Sequence, residues 1–232
     1  MIKSISKMSK KVDDKVESEE FNIIFKLLDS FGSNLKILDA GSGLLGFAEF
    51  ASKKLPKSEL ICVDINQNLV SLAQKKGFEA HKASVVDLPF ETEEFDVVHC
   101  SHVIEHLKYP DVIQAIDEML RIVKTGGLLI LRSPLSVNHR FYNDIDHIRP
   151  YPPASILNYL NSEQQQKKSA YSTKEINRWY TRIYFEFDPL KRTSKIIKYI
   201  NYFLKLSWLY VGYPKATPNN YGLVLKKQRV NS

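Results

Sequence analysis

The sequence contains little cysteine and has no long apolar run. Its two cysteines, Cys62 and Cys100, both lie within apolar stretches. We therefore expect buried free thiols in a reducing, cytoplasmic environment rather than a disulfide. No apolar run reaches the 18 residues that would cross a bilayer, and the charged segment 1–15 lacks the apolar centre of a secretory leader.

Acidic residues are scarce in the last third of the chain. Residues 151–232 carry 14 Lys/Arg against 4 Asp/Glu, a net charge of +10, whereas residues 1–150 carry 19 against 22, a net charge of −3. A basic tail could bind nucleic acid, anionic lipid or an acidic substrate, or could simply keep the surface soluble. The charge alone does not choose between these roles.

Glycine is also sparse, with nine in the chain, yet three of them follow one short apolar strand at residues 35–40. A strand, a glycine turn and a helix start together present free backbone N–H groups to a nucleotide. The turn fits G-x-G-x-x-G, with Asp64 lying 18 residues beyond Gly46, as in dinucleotide-binding dehydrogenases. Asp39, however, would repel a pyrophosphate and favours a cationic nucleoside such as S-adenosylmethionine.

Strand and helix patterns alternate five times between residues 35 and 132. The strand patterns lie at 35–40, 59–65, 78–83, 95–100 and 128–132. This alternation predicts a parallel α/β sheet with ligands bound beyond the carboxyl ends of its strands. Further on, the patterns predict a helix over about 154–165, a surface loop at 164–169, and a closing antiparallel pair of strands at 182–187 and 221–226.

Six short motifs occur in a fixed order along this region. They are Leu38-Asp-Ala-Gly-Ser-Gly43, Asp64, Asp87-Leu-Pro-Phe90, Phe95-Asp-Val-Val98, Glu105-His106 and Val123-Lys-Thr-Gly-Gly127. Together they resemble the class I S-adenosylmethionine-dependent methyltransferases of the small-molecule branch, over about residues 35–160. The last four motifs are not implied by a dehydrogenase. One departure is Leu45, which stands where the family has its third glycine.

The resemblance implies an α/β fold: a doubly wound, mostly parallel seven-stranded sheet with helices on both faces and an antiparallel seventh strand. Within one domain we expect an N-terminal helical segment at 1–34 and a cofactor-binding core at 35–135. An acceptor lid would follow at 136–180. The closing strands, with a basic amphipathic helical insertion, would occupy 181–232.

The resemblance also implies S-adenosylmethionine as cofactor, with S-adenosylhomocysteine as the product. The methionine end of the cofactor would be surrounded by Asp39, Gly41, Ser42, Gly43 and Ser101. The ribose and one face of the adenine would contact Asp64 and Ile65. The adenine amino group and the edge of the ring would contact Asp87 and Leu88. Two simpler roles stay open, because Asp39 could cap the following helix and Asp64 could be a turn residue.

Histidines after the fourth and fifth strands are the candidates for acceptor chemistry. Residues 139–153 resemble a segment of methyltransferases from surface-glycan and lipid-glycan pathways, where it lies over the methyl group. Methyl transfer depends mainly on alignment, and a hydroxyl acceptor also needs a general base. We predict His147 as base, with His102 and His106 as other catalytic candidates. The predicted acceptor contacts are Arg149, His139 and Tyr142, unless Asp146, His147 and Arg149 only pair with each other.

The segment His102-Val-Ile-Glu-His106 also fits H-x-x-E-H, a zinc-protease spacing. Nothing else in the sequence supports a protease. Glu105 and His106, with His139 or His147, could instead hold a divalent ion, as a related E-x-x-E-H pattern does in small-RNA 2′-O-methyltransferases and some quinone O-methylases. Because Glu105-His106 also fits the structural pair that follows the fourth strand in the family, we expect no metal.

The predicted activity is O-methylation of a small molecule, a sugar or a lipid-linked intermediate. One alternative is an RNA (tRNA) methyltransferase, which only the basic tail supports. Another is a non-catalytic, cofactor-binding partner subunit. The segment 193–211 could form an amphipathic helix that lies on a membrane surface, in which case the cytoplasmic protein would be peripheral to the membrane. Alternatively, this helix packs on its own sheet or on the second subunit of a homodimer.

Overall fold

A computed structural model describes residues 2–136, 141–181, 194–213 and 218–229. Seven strands form one sheet: β1 Lys36–Ala40, β2 Glu59–Asp64, β3 Glu79–Lys82, β4 Phe95–Ser101, β5 Val123–Pro134, β6 Thr173–Thr181 and β7 Asn220–Lys227. The α-helices of the described residues are α1 Ile2–Phe31, α2 Gly46–Lys54, α3 Gln67–Lys75, α4 Asp111–Ile122, α5 Pro153–Asn161 and α6 Lys195–Val211.

The strand order is β3-β2-β1-β4-β5-β7-β6. Strands β1 to β5 are parallel, and β7 runs antiparallel to both β5 and β6. This confirms the predicted doubly wound α/β fold with an antiparallel seventh strand. The order reverses between β1 and β4, so the loops that leave these two strands separate and open a crevice at their carboxyl ends.

Helices cover both faces of the sheet. On one face, α4 and α5 pack into a core that includes Ile116 and Leu160. On the other, α1 and α2 contribute Ile24 and Phe47 to a second core. Successive side chains of a strand point to opposite faces, so the apolar strands β1, β4 and β5 supply both cores at once. Their nearly continuous apolar sequences are explained by this double burial.

Three predicted boundaries differ from the structure. The sixth strand lies at Thr173–Thr181, inside the segment predicted as a lid, whereas 182–187 lies outside the described residues. Strand β6 is at the edge of the sheet and carries polar residues such as Lys174 and Arg178, so it lacks a clear apolar alternation. In addition, β5 begins at Val123 rather than at 128, so that it includes Gly126 and Gly127. Helix α5 ends at Asn161 rather than near residue 165.

Helix α6 packs against α1 rather than directly on the sheet. Trp208 is buried there, with the Lys15 ammonium 5.1 Å from its ring centre. The same ammonium donates to the carbonyl oxygen of Leu209 at 2.9 Å. Within the described residues, no helix combines the length and the apolar character needed to cross a bilayer.

Both cysteines are free and buried, as expected. Burial raises the pKa of the Cys62 thiol to about 12 and also raises the pKa of the Cys100 thiol. Both therefore stay protonated at neutral pH and act as small apolar side chains in the sheet.

Candidate active site

The glycine turn connects β1 to α2 at the crevice. Gly41 and Gly43 have φ values of +81° and +50°, in the left-handed region that glycine adopts without strain. A Cβ atom on Gly41 would lie 2.3 Å from Cγ2 of Val103. The N–H groups of Gly41 and Ser42 donate to the carbonyl oxygen of Val63 at 2.8 and 3.0 Å. The turn therefore leaves no room for a side chain at Gly41.

Leu45 occupies the position where the resemblance led us to expect a third glycine. Its φ of +71° is also left-handed, which costs a residue with a Cβ about 1–2 kcal/mol. Its side chain is fully buried in a core with Ala48 and Ala73. Burial of a leucine contributes about 1.5–3 kcal/mol, which offsets the strain and explains why glycine is not required.

Asp64, at the end of β2, supports the glycine turn. Its Oδ2 accepts the N–H of Gly43 at 3.0 Å and its Oδ1 accepts the N–H of Asn66 at 2.9 Å. Asp64 is therefore a turn residue, as one alternative held, but each oxygen keeps further acceptor capacity. Beside it, the Ile65 side chain is 71% exposed. A carboxylate and an apolar surface thus lie together at the strand end.

Asp87 and Leu88, which follow β3, are placed differently from each other. The Asp87 side chain is exposed, and its N–H donates to the carbonyl oxygen of Ser84 at 3.0 Å. Leu88 is only 3% exposed, packs in the core and donates its N–H to Oε1 of Glu118 at 2.9 Å. The structure therefore leaves Asp87 accessible and buries Leu88, and the expected contacts of both residues with an adenine stay predictions.

Asp39 and His99 form a buried pair on the adjacent strands β1 and β4. Nδ1 of His99 donates to Oδ1 of Asp39 at 2.8 Å, and the imidazole stacks on the Phe47 ring with 3.8 Å between centres. Burial lowers the pKa of His99 more than the Asp39 carboxylate raises it, so His99 is neutral. Oδ2 of Asp39 has no hydrogen-bond partner among the described residues. One carboxylate oxygen therefore orients the group, and the other is buried without a hydrogen-bond partner among the described residues.

Sequence reasoning missed His99. A single imidazole inside the otherwise apolar run Phe95-Asp-Val-Val-His-Cys100 was the available signal. Burial next to a carboxylate on the neighbouring strand depends on sheet register, which pairs Asp39 with His99. That register is a tertiary property.

The His99 pair predicts a pH dependence of stability. Because the folded-state pKa of His99 is lowered, its contribution to stability is present above the unfolded pKa of about 6.5 and is lost as the pH falls below it. His99→Gln keeps a donor for Asp39 but does not titrate. Between pH 7 and 5 we expect wild type to lose more unfolding free energy than the variant, by at most about 2 kcal/mol. Urea denaturation at both pH values measures this, and parallel losses would contradict it.

A second buried polar link joins α1 to β5 and β6. Nη2 of Arg132 donates to Oε2 of Glu20, and Oε1 of Glu20 accepts the Thr181 hydroxyl. The Arg132 guanidinium carbon also lies 5.2 Å from the centre of the Phe21 ring. Neither Glu20 nor Arg132 was predicted as functional. Their pairing fixes α1 across the carboxyl ends of the sheet strands, near the glycine turn.

Glu105 is the centre of the loop that follows β4. Its side chain is fully buried, with Oε2 accepting the Ser133 hydroxyl at 3.1 Å and Oε1 lying 3.2 Å from Nδ1 of His102. Its carbonyl oxygen accepts the N–H groups of Ile148 and Arg149 at 2.9 and 3.3 Å. Glu105 therefore holds together the loop after β4, the end of β5 and the segment predicted as a lid.

His106 and His147 face each other across this junction, with 4.9 Å between ring centres. Nδ1 of His106 lies 3.0 Å from the carbonyl oxygen of Asp146, and Nδ1 of His147 lies 2.7 Å from that of Phe141. A carbonyl oxygen only accepts, so we assign the proton of each neutral ring to Nδ1. Each Nε2 then carries a lone pair.

Ligand atoms of Glu105, His106 and His147 all lie within 4.8 Å of one another. This is the set that the metal alternative named. Nitrogen ligands of one zinc ion would lie about 3.4 Å apart, which is closer than the 4.8 Å limit of this cluster. In addition, both carboxylate oxygens of Glu105 already have hydrogen-bonding neighbours. We keep the expectation that these residues act without an ion.

The remaining predicted residues are spread around this junction. Ser101 ends β4 and is partly exposed, and His102 has a strained φ of +55° with its N–H donating to the carbonyl oxygen of Arg132 at 2.9 Å. Tyr142 is exposed, and the Arg149 guanidinium lies 5.7 Å from the Tyr151 ring centre. His139 lies outside the described residues. The carboxylate near Nε2 of His147 is that of Asp144, with Oδ2 at 3.9 Å, and not that of Asp146.

Comparison with known proteins agrees with this geometry. Residues 38–131 match the family model described as a methyltransferase domain. A methyltransferase structure from Archaeoglobus fulgidus, described as S-adenosylmethionine-dependent, shares the fold with a TM-score of 0.60 and 21% identity, over 91% of this chain and 94% of that one. The chain thus carries a methyltransferase domain at residues 38–131 and has the fold of S-adenosylmethionine-dependent methyltransferases. This match replaces the dehydrogenase as an alternative.

Relatives of this methyltransferase in the curated proteins differ in coverage. An uncharacterised protein of Methanocaldococcus jannaschii is 28% identical over 80% of this chain and 85% of its own length. A demethylmenaquinone methyltransferase of Staphylococcus carnosus is 29% identical, over 41% of both chains. The match to this named methyltransferase thus spans about two fifths of that protein.

The crevice of the methyltransferase fits its cofactor. Gly41 has no room for a Cβ, and its left-handed backbone forms a cradle beside the exposed Ile65. The unpartnered Oδ2 of Asp39 provides a negative charge where an amino group would be bound. The carboxylate of Asp64, supported by the turn, can accept ribose hydroxyls. Residues at the ends of β1 and β2 thus offer the polar and apolar contacts of S-adenosylmethionine.

Proposed function

We propose that this methyltransferase modifies a hydroxyl oxygen of a small molecule, a sugar or a lipid-linked intermediate. The observation that carries the proposal is the pair His106 and His147, whose Nε2 lone pairs lie near the ends of β4 and β5. A basic nitrogen at that place suits an acceptor that must lose a proton, as a hydroxyl does.

The same proposal assigns the cofactor contacts. Asp39 would bind the amino group of the methionine end, with Gly41, Ser42, Gly43 and Ser101 around it. Asp64 would accept the ribose hydroxyls, Ile65 would cover one face of the adenine, and Asp87 would accept the adenine amino group. Leu88 would flank the adenine ring from the core, in which its side chain is packed.

When bound, S-adenosylmethionine supplies a methyl group on a sulfonium, so that transfer to oxygen breaks the S–CH₃ bond and leaves its electron pair on sulfur. The chain aligns the acceptor in line with that bond, and alignment of this kind accounts for about 7–11 kcal/mol of barrier in well-oriented systems. The hydroxyl proton passes to Nε2 of His147. The carbonyl oxygen of Phe141 holds the ring in the required tautomer.

The acceptor is held by the segment that Glu105 ties to the sheet. Arg149 and Tyr142 would contact it from the lid, together with His102 and His139. Because β6 occupies 173–181, the lid of this proposal ends before Thr173. The basic tail favours an anionic acceptor or surface, and the Staphylococcus carnosus relative is named for a small-molecule acceptor, demethylmenaquinone.

The acceptor class can be read directly from transferred label. The full chain is incubated with methyl-labelled S-adenosylmethionine and fractionated cell extract, with heat-denatured protein as the control. We expect the label in the small-molecule or lipid-soluble fraction. Label that is recovered in RNA instead, and is released by ribonuclease, would replace this proposal by the RNA methyltransferase.

A further inference from the structure

Helix α6 exposes an apolar stripe along one side. Ile196, Phe203 and Tyr210 recur every seven residues and therefore lie on one face of the helix. Their side chains are 72%, 65% and 76% exposed. The residues beside them on the same face are also exposed: Tyr199, Ile200 and Val211. We call these six residues the α6 stripe.

The exposure of the α6 stripe is a consequence of how the helix is held. The opposite side of α6 is fixed on α1 by the buried Trp208, and Lys15 donates to the carbonyl oxygen of Leu209 in the last turn. Such a contact satisfies a carbonyl that has no partner within the helix. A helix that is anchored by one face cannot turn its stripe inward without losing these contacts.

An exposed row of large apolar side chains on a folded domain marks an interaction surface. The charge of α6 indicates what kind of surface or partner the stripe would contact. Residues 194–213, which the structure describes, contain three Lys and no Asp or Glu. Successive residues of an α-helix are rotated by about 100°, so Lys198 and Lys205 lie near the side of α6 that is opposite to the apolar stripe. An aromatic apolar face on a basic, acid-free helix is typical of helices that lie on anionic membranes.

We propose that the α6 stripe docks this methyltransferase on an anionic membrane surface. The helix would lie in the plane of the membrane, with Phe203 and Ile200 among the acyl chains and Tyr199 and Tyr210 at the level of the headgroups. The positive charge of α6 provides attraction over about a Debye length, and burial of the stripe provides the rest. The proposal does not depend on which acceptor the enzyme methylates.

A homodimer would bury the same stripe, but the charge argues against it. A two-fold dimer through α6 would bring two acid-free basic segments together, and like charges repel at an interface. An anionic bilayer instead complements both the apolar face and its surroundings.

Sedimentation with vesicles tests the membrane proposal. The full chain is centrifuged with vesicles of phosphatidylcholine alone, or of phosphatidylcholine mixed with phosphatidylglycerol, and without vesicles. The test variant is Ile200→Ser with Phe203→Ser, and the matched control is Ile176→Ser, which removes an exposed isoleucine from the edge strand β6. A second variant, Lys198→Glu, changes only the charge of α6.

We expect wild type and Ile176→Ser to pellet with anionic vesicles and to stay in the supernatant without vesicles. The double variant should bind about tenfold more weakly, and Lys198→Glu or about 0.5 M NaCl should also reduce binding. The double variant removes only exposed side chains, so unchanged circular dichroism verifies its fold. Absence of wild-type pelleting, or equal pelleting of the double variant, would overturn the proposal. The proposal would also be overturned if light scattering showed that wild type is a dimer, that the double variant is a monomer, and that neither binds vesicles.

Discussion

Replacing Asp39 with alanine is expected to lower both cofactor affinity and stability. The change removes the charge at Oδ2, which has no partner among the described residues, and leaves the buried Nδ1–H of His99 without an acceptor. Loss of a charged hydrogen bond to the cofactor should weaken binding of S-adenosylhomocysteine by about 10–100-fold, and the unsatisfied donor should cost about 1–3 kcal/mol of unfolding free energy. Calorimetry and urea denaturation measure the two effects separately.

Asp39→Asn separates these two roles. The asparagine carbonyl can still accept the hydrogen bond from His99, so this variant should keep most of the stability that alanine loses. It lacks the negative charge and should still bind the product weakly. Asp29→Ala, on the exposed side of α1, is the matched control and should change neither quantity. Product affinity of the Asp39→Ala variant within twofold of wild type would refute the assignment of Asp39 to the methionine end.

Replacing His147 with alanine is expected to reduce kcat by about 10²–10⁴-fold while leaving the affinity for S-adenosylhomocysteine unchanged. The loss follows if Nε2 of His147 takes the acceptor proton, because general-base catalysis contributes a factor of this size. Turnover is measured as product release with the acceptor fraction identified by the labelling experiment. His81→Ala, on β3, is the control, since that imidazole pairs with Glu79 at the surface.

The alanine variant also removes the hydrogen bond from Nδ1 of His147 to the carbonyl oxygen of Phe141, which lies within the proposed lid. His147→Asn distinguishes the two causes. Its amide can donate to the same carbonyl oxygen but offers no basic nitrogen. If His147 is the base, the asparagine variant should be as slow as the alanine variant. Recovery of wild-type turnover in His147→Asn would instead make His147 a positioning residue.

The acceptor side of the site depends on a few buried contacts between distant segments. Glu105 links the ends of β4 and β5 to Ile148 and Arg149, in the proposed lid, through its carboxylate and its carbonyl oxygen. Arg132 and Glu20 link β5 to α1 on the other side of the crevice. Both carboxylates are fully or nearly fully buried, so removal of either partner would leave an uncompensated polar group in the interior.

The cofactor half could be predicted from the sequence because its signals are local. Gly41 and Gly43 indicate a turn with positive φ, and the alternating apolar strands indicate the parallel sheet. The carboxyl ends of parallel strands meet at one edge, so the grouping of the residues there follows from the strand pattern alone. Leu45 was the one irregular position, and its burial explains it.

The sequence by itself determined the parallel sheet, the glycine cradle and the basic charge of the C-terminal segment, because each is set by spacing or composition over a few residues. Only the tertiary structure decided that His99 partners Asp39, that Leu88 belongs to the core, that β6 lies at Thr173–Thr181 and that α6 exposes its apolar side. These features depend on register and on which surfaces meet. Contacts between residues far apart in the chain fix both, and no local pattern encodes them.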